Sequence, residues 1–131
     1  MIGLDTNVLV RLLTADDAGQ LKTATRLLVA HESEAGAFFI NDMVLVELVW
    51  VLRRLYKHEP GEALSAIASL LAADAFTFED RDRVQQAVAL CSASSRDFAD
   101  AMIVLKNTAA GCAHTASFDR ALRSLAGARL L

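Results

Sequence analysis

One proline and six glycines in 131 residues are too few for the flexible linkers and low-complexity tracts that such residues build. The polar bias of a disordered chain is missing too, since 54% of the residues are hydrophobic and 22% charged. The length suits one domain around one core, so a single domain over residues 1–131 is expected. No long apolar run is present. The longest, residues 43–52, is interrupted by Glu47 and falls far short of the roughly 20 residues that span a bilayer, which predicts a buried helix and excludes a membrane anchor there. Only Met1 precedes Ile2-Gly3-Leu4-Asp5, with no basic leader or apolar signal region, and a cytoplasmic protein is expected.

Cysteine is scarce as well. Cys91 and Cys112 stand in no ligand spacing with each other or with His31, His58 and His114, which excludes a zinc framework and a disulfide scaffold and predicts buried free thiols. Positive charge is not in excess: 13 Lys and Arg against 16 Asp and Glu leave a formal charge of −3. That is not the usual profile of a protein that holds nucleic acid by charge alone. An RNA ligand would need metal ions or a locally basic rim.

What is present is an alternation of strands and helices. Residues 2–6 read as a buried strand that delivers polar Asp5-Thr6-Asn7 to a helix start. A helix over 16–31 shows one apolar face through Leu21, Ala24, Leu27 and Leu28, and residues 37–40 form a strand. Asn41 or Asp42 can cap a helix over 43–56, and Pro60 sits at the first turn of another reaching residue 73. These two form a helical hairpin. A strand at 76–78, helices over 81–91 and 98–108 with Gly111 as a stop, strands at 112–115 and 128–131, and a short helix over 119–125 complete the chain. The alternation predicts the α/β class, with a mostly parallel sheet covered by helices on both faces. Ligands of such sheets collect at the carboxyl ends of the strands.

Four acids fall at such places. Glu47 is flanked by Val44, Leu45, Val46, Leu48, Val49, Trp50 and Val51 and shares a helical stripe with Val44 and Val51, so its carboxylate is expected to face packed apolar surface. A buried carboxylate needs a cation or donors opposite it; a metal ion meets that need, and so does an ion pair with Arg11 or Arg96. Asp5 ends the first strand and can serve the cleft or cap the next helix. Asp97 and Asp100 are three apart on one helix side, where Asp97 as cap and Asp100 against the helix dipole is the plain alternative. Asp119 opens the last short helix and can likewise be a cap. Gathered without metal, four such acids would raise one another's pKa values. A hard divalent cation relieves that repulsion, and Mg2+ or Mn2+ suits an all-carboxylate set better than zinc.

The same residues carry a family resemblance. Asp5-Thr6-Asn7-Val8-Leu9-Val10-Arg11 resembles the opening motif of PIN domains, especially of VapC-like toxins. Val46-Glu47-Leu48-Val49-Trp50-Val51-Leu52 is similar to the second motif, Asp97-Phe98-Ala99-Asp100-Ala101-Met102-Ile103 to the third and Ser117-Phe118-Asp119-Arg120 to the fourth. Each motif alone is weak; their order and spacing from Asp5 to Asp119 are specific. Ser117 stands where many members have threonine, and Lys106-Asn107 replaces a commonly alanine-rich segment.

The resemblance implies a PIN-like three-layer α/β/α fold and a metal-dependent endoribonuclease that is the toxin of a VapBC-like pair. It implies Asp5, Glu47, Asp100 and Asp119 as metal-binding, catalytic acids for Mg2+ or Mn2+. Thr6 and Asn7 would orient the first of them, and Asp97 would be an accessory. Arg11, Arg96 and Lys106 are candidates for contacts with RNA phosphates, beside the plainer alternative of a structural or solvated role. A homodimer and a small VapB-like antitoxin are implied partners.

Two other classes compete. An aspartate-based phosphohydrolase usually needs a second Asp two residues after the first, where this chain has Asn7; a receiver domain needs an acidic pair at the first strand end and a later lysine, and neither stands at a suitable place. A non-enzymatic α/β interaction module would use all four acids as caps and ion pairs.

Overall fold

The computed structural model describes every residue except Ser95. The chain is built as two compact units, Met1–Arg81 and Asp82–Leu131. The first holds β1 (Ile2–Gly3), α1 (Thr6–Thr14), α2 (Ala18–Ala30), β2 (Phe38–Ile40), α3 (Asp42–Arg54), α4 (Pro60–Ala72) and β3 (Phe76–Phe78). The strands form a parallel sheet in the order β1-β2-β3, with Ile2 opposite Phe38 and Phe38 opposite Phe76. Parallel neighbours cannot be joined by a hairpin turn, so each connection is a pair of helices. α1 packs on α2 and α3, and α3 on α4, which is the expected helical hairpin. Phe38, Ile40, Leu9, Leu45, Leu48, Leu52 and Ile67 are fully buried in this unit.

Local chemistry sets the boundaries. Asn41, not Asp42, caps α3, its Oδ1 accepting from the Val44 amide at 2.8 Å. Pro60 begins α4 as expected, and the Glu62 carboxylate accepts from the Glu59 amide at 2.9 Å. β1 is shorter than the sequence suggests: Leu4 still donates to the Phe39 carbonyl, but Thr6 already opens α1 because Asp5 caps it.

The second unit holds α5 (Arg81–Ala93, beginning at the boundary), α6 (Phe98–Ala109), β4 (Thr115–Ser117), a 3-10 turn (Arg120–Ser124) and β5 (Ala128–Leu130). β4 and β5 pair in parallel, Thr115 opposite Ala128. Val104, Leu122 and Leu125 form its core, with Leu90 and Ala128 packed on it. The strand expected at 112–115 begins only at Thr115. Gly111, in the left-handed region at φ 91°, lets the Gly111 amide reach the Thr108 carbonyl and the Cys112 amide the Asn107 carbonyl. That two-bond closure of α6 occupies the residues where the strand was expected. Cys91 is buried as expected, whereas Cys112, just past the closure, is exposed.

Gly127 turns the chain into β5, also at φ 91°, and a Cβ there would stand 3.2 Å from Thr108 Oγ1 and 3.3 Å from Val104 Cγ1. A Cβ at Gly111 would meet nothing within 4 Å. Gly111→Ala is therefore expected to cost about 1 to 2 kcal/mol through backbone strain alone, and Gly127→Ala about 2 to 3. Urea unfolding of both variants checks the order; equal midpoints would show that the packing around Gly127 yields freely. Among the described residues no helix is long and apolar enough to cross a membrane.

Candidate active site

The sheet delivers Asp5 to the carboxyl end of β1, where its Oδ1 accepts from the Thr6 amide at 2.8 Å and caps α1. The cap uses one carboxylate oxygen and holds the side chain in place. A cavity of about 250 Å³ lies against it, lined by Asp5, Thr6, Asn7, Val10, Arg11, Glu47, Val51, Leu55 and Tyr56. The first unit thus brings Asp5 and Glu47, 42 positions apart in the sequence, to one cavity. Thr6 is 4% exposed, and its hydroxyl is buried without a hydrogen-bond partner among the described residues. Such an orphan costs about 1–3 kcal/mol, and it belongs to a residue that lines the acidic cavity.

Glu47 is placed differently from the sequence expectation. It is exposed, on an outer stripe of α3 with Met43 and Trp50, while Val44, Leu45, Leu48, Val49 and Leu52 turn inward. In a ten-residue run where every residue but Glu47 is apolar, periodicity does not reveal which face looks out; Met43 and Trp50, 81% and 56% exposed, are apolar residues on the open side. Glu47 makes no ion pair or hydrogen bond among the described residues. The expected alternative, a pair with Arg11 or Arg96, is not formed. Arg11 Nη1 instead reaches Asp16 at 3.3 Å and the Tyr56 hydroxyl at 3.2 Å. Arg96 Nη2 donates to the Ser124 carbonyl at 2.8 Å, closing the 3-10 turn.

In the second unit Asp97 caps α6, accepting from the Asp100 amide at 3.2 Å, and Asp119 caps the 3-10 turn, accepting from the Ala121 amide at 2.9 Å. The Asp119 amide in turn donates to Ser117 Oγ at 2.9 Å. Asp100 lies in the first turn of α6, half-buried. Burial above all, then the charges of Asp97 and Asp119, push its carboxyl above the ordinary 3.8. Asp97 and Asp119 thus disfavour the charged form of Asp100. The same acids bear on Cys91: burial first, then Asp97 and Asp100, opposed by Arg96, push its thiol up to about 11, which makes it an inert core thiol. Lys106 lies exposed in the last turn of α6, on the side of the helix dipole that favours a cation.

A capping role accounts for Asp5, Asp97 and Asp119. It accounts for neither Glu47, which caps and pairs with nothing described, nor Asp100, whose charge is disfavoured where it sits. Among the described residues no three His, Cys, Asp or Glu side chains gather closely enough to hold a metal ion as they stand. The donors nonetheless fit a hard divalent cation in kind: carboxylate oxygens throughout, with an unpartnered hydroxyl at the same cavity and no thiolate or imidazole among them.

Sequence reasoning missed Tyr56, which lines the Asp5 and Glu47 cavity, and Asp16, which it contacts. One signal was available. Asp16 and Asp17 are adjacent acids before α2, and one cap needs only one of them; Asp17 is the cap, accepting from the Gln20 amide at 2.9 Å.

The PIN domain family model matches residues 2–128. A VapC ribonuclease of Aquifex aeolicus (strain VF5) is 25% identical over 122 residues, which cover 93% of this chain and 90% of that protein.

Proposed function

Because the chain belongs to the PIN domain family, we propose that it is a metal-dependent endoribonuclease that hydrolyses RNA phosphodiester bonds, the toxin half of a VapBC-like toxin-antitoxin pair. The observation that carries the reading is Glu47: an acid with no ion pair or hydrogen bond among the described residues, lining one cavity with Asp5 and an unpartnered Thr6 hydroxyl. The similarity to a protein named VapC ribonuclease supplies the substrate class.

The residues proposed as metal-binding acids are Asp5, Glu47, Asp100 and Asp119, with Thr6, Asn7 and Asp97 as accessories. Mg2+, or Mn2+ in its place, supplies positive charge to the scissile phosphate and an activated water. The chain's own groups prepare for this. The Thr6 amide fixes the Asp5 carboxylate through Oδ1, so its orientation is set before any ligand arrives. The lifted proton affinity of Asp100 reflects burial first and then the charges of Asp97 and Asp119, and a bound cation would offset the latter. Since the chain carries a net −3, RNA binding depends on such local positive charge and not on an overall basic surface. A VapB-like antitoxin, a homodimeric assembly and a cytoplasmic location complete the proposal.

Purified protein, freed of any bound inhibitor, is expected to cut a mixed RNA pool with Mg2+ or Mn2+ and to leave it intact with EDTA. Cleavage that persists in EDTA would remove the metal from the mechanism. The capping geometry of Asp5, Asp97 and Asp119 is what favours the second reading, a non-enzymatic module. That reading predicts no divalent-dependent rise in melting temperature.

A further inference from the structure

Arg11 is the only basic residue among the nine that line the Asp5 and Glu47 cavity, and it also lines the neighbouring cavity of about 550 Å³ between α1 and α2. Two of the three guanidinium nitrogens are engaged. Nε donates to Gln20 Oε1, and Nη1 meets both Asp16 Oδ1 at 3.3 Å and the Tyr56 hydroxyl at 3.2 Å. The Tyr56 hydroxyl in turn donates to Asp16 Oδ2 at 2.6 Å, and Thr14 Oγ1 donates to Asp16 Oδ1 at 3.0 Å. Nη2 has no partner among the described residues.

The backbone holds Tyr56 in its place. Lys57 takes the left-handed conformation at φ 57°, and the His58 amide donates to the Leu52 carbonyl at 2.9 Å. This closes α3 directly beyond Tyr56. The clamp on Arg11 therefore draws on three separate segments: the end of α1, the start of α2 and the end of α3.

We infer that Tyr56 and Asp16 are positioning residues that hold the Arg11 guanidinium at the Asp5 and Glu47 cavity, so that its unengaged Nη2 donates to a phosphate oxygen of the RNA. The inference rests on the nuclease reading above. Its physical content is preorganisation. A long cationic side chain beside two acids would otherwise fold onto a carboxylate or wander in solvent, and fixing it beforehand removes that ordering from the cost of binding. A planar guanidinium held at both Nε and Nη1 has its plane fixed, so Nη2 points in a defined direction, which an ammonium group cannot offer.

Tyr56→Phe deletes only the hydroxyl. It is expected to raise KM for single-stranded RNA about three- to tenfold, the scale of one side chain that must now be ordered on binding, with kcat within about twofold of wild type. Arg11→Lys, which keeps the charge and loses the fork, should raise KM at least as much. The double variant should match Arg11→Lys alone, because Tyr56 acts only through Arg11. A direct readout accompanies the kinetics. The Tyr56 hydroxyl above all, with Thr14 and Arg11, holds the Asp16 carboxyl below its ordinary 3.8, and a carboxyl NMR titration should find it moved upward in Tyr56→Phe.

Additive KM effects in the double variant, an unchanged KM in Tyr56→Phe, or a fall confined to kcat would each overturn the positioning role while leaving the nuclease reading in place. Wild-type protein that cuts no RNA with either metal would overturn that reading and this inference with it.

Discussion

Asp5→Asn is expected to lose RNA cleavage by at least about a hundredfold while melting as the wild type does. The loss is scaled from groups that merely support a metal ligand, whose removal already costs 10- to 100-fold. The substitution separates the two roles that Asp5 can have. As a cap, Asp5 accepts from the Thr6 amide through Oδ1, and Asn caps a helix about as well as Asp, so the start of α1 survives. As a metal ligand, Asp5 contributes negative charge, which Asn lacks. Ribonuclease assays with Mn2+ and thermal melts of the two proteins decide the matter. A folded Asp5→Asn protein with full activity would leave Asp5 as a cap and nothing more.

Asp100→Asn should lose activity on the same scale, yet it should move stability in the opposite direction from most substitutions. In the folded chain the Asp100 carboxyl titrates above 3.8, first through burial and then through Asp97 and Asp119. The folded state therefore binds a proton that the unfolded chain has already released. Stability falls as pH rises from the unfolded value through the folded one, and the whole deficit remains at neutral pH. Charge at this position would gain about 0.3–1 kcal/mol from the N-terminal helix dipole; the upward displacement means that burial and the two neighbouring acids outweigh it.

Removing the charge should therefore raise the melting temperature in EDTA at pH 7 and have no such effect at pH 3, where the wild-type carboxyl is already protonated. Divalent cation should do for the wild type what Asn does in its absence. Metal at a hundred times its Kd stabilises by about 2.7 kcal/mol, and Asp100→Asn should lose most of that response. A variant that melts lower than wild type in EDTA, or that responds fully to Mn2+, would remove Asp100 from the ligand set.

Much of this was legible in the residues. Alternation of short apolar runs with capped amphipathic stretches gave the start of α1 and placed the later helices and strands within a few positions, because caps, Pro60 and Gly111 act through their immediate neighbours. The motifs from Asp5 to Asp119 fixed the family by order and spacing, which need no tertiary information, and the match over residues 2–128 agrees.

Tertiary structure alone decided how the polar groups are engaged. The α3 run is apolar on nearly every side, so its pattern holds no direction; packing against α1 and α4 turned Leu45 and Leu48 inward and left Glu47 on the open face. The partner of Arg11 could not be read either, since Asp16 and Tyr56 are 40 positions apart and meet only because α1 packs on both α2 and α3. Neighbours in sequence determine helices, caps and turns. Which acid is paired, which arginine is held and which hydroxyl is left without a partner depend on contacts between distant segments, and only the folded chain makes those.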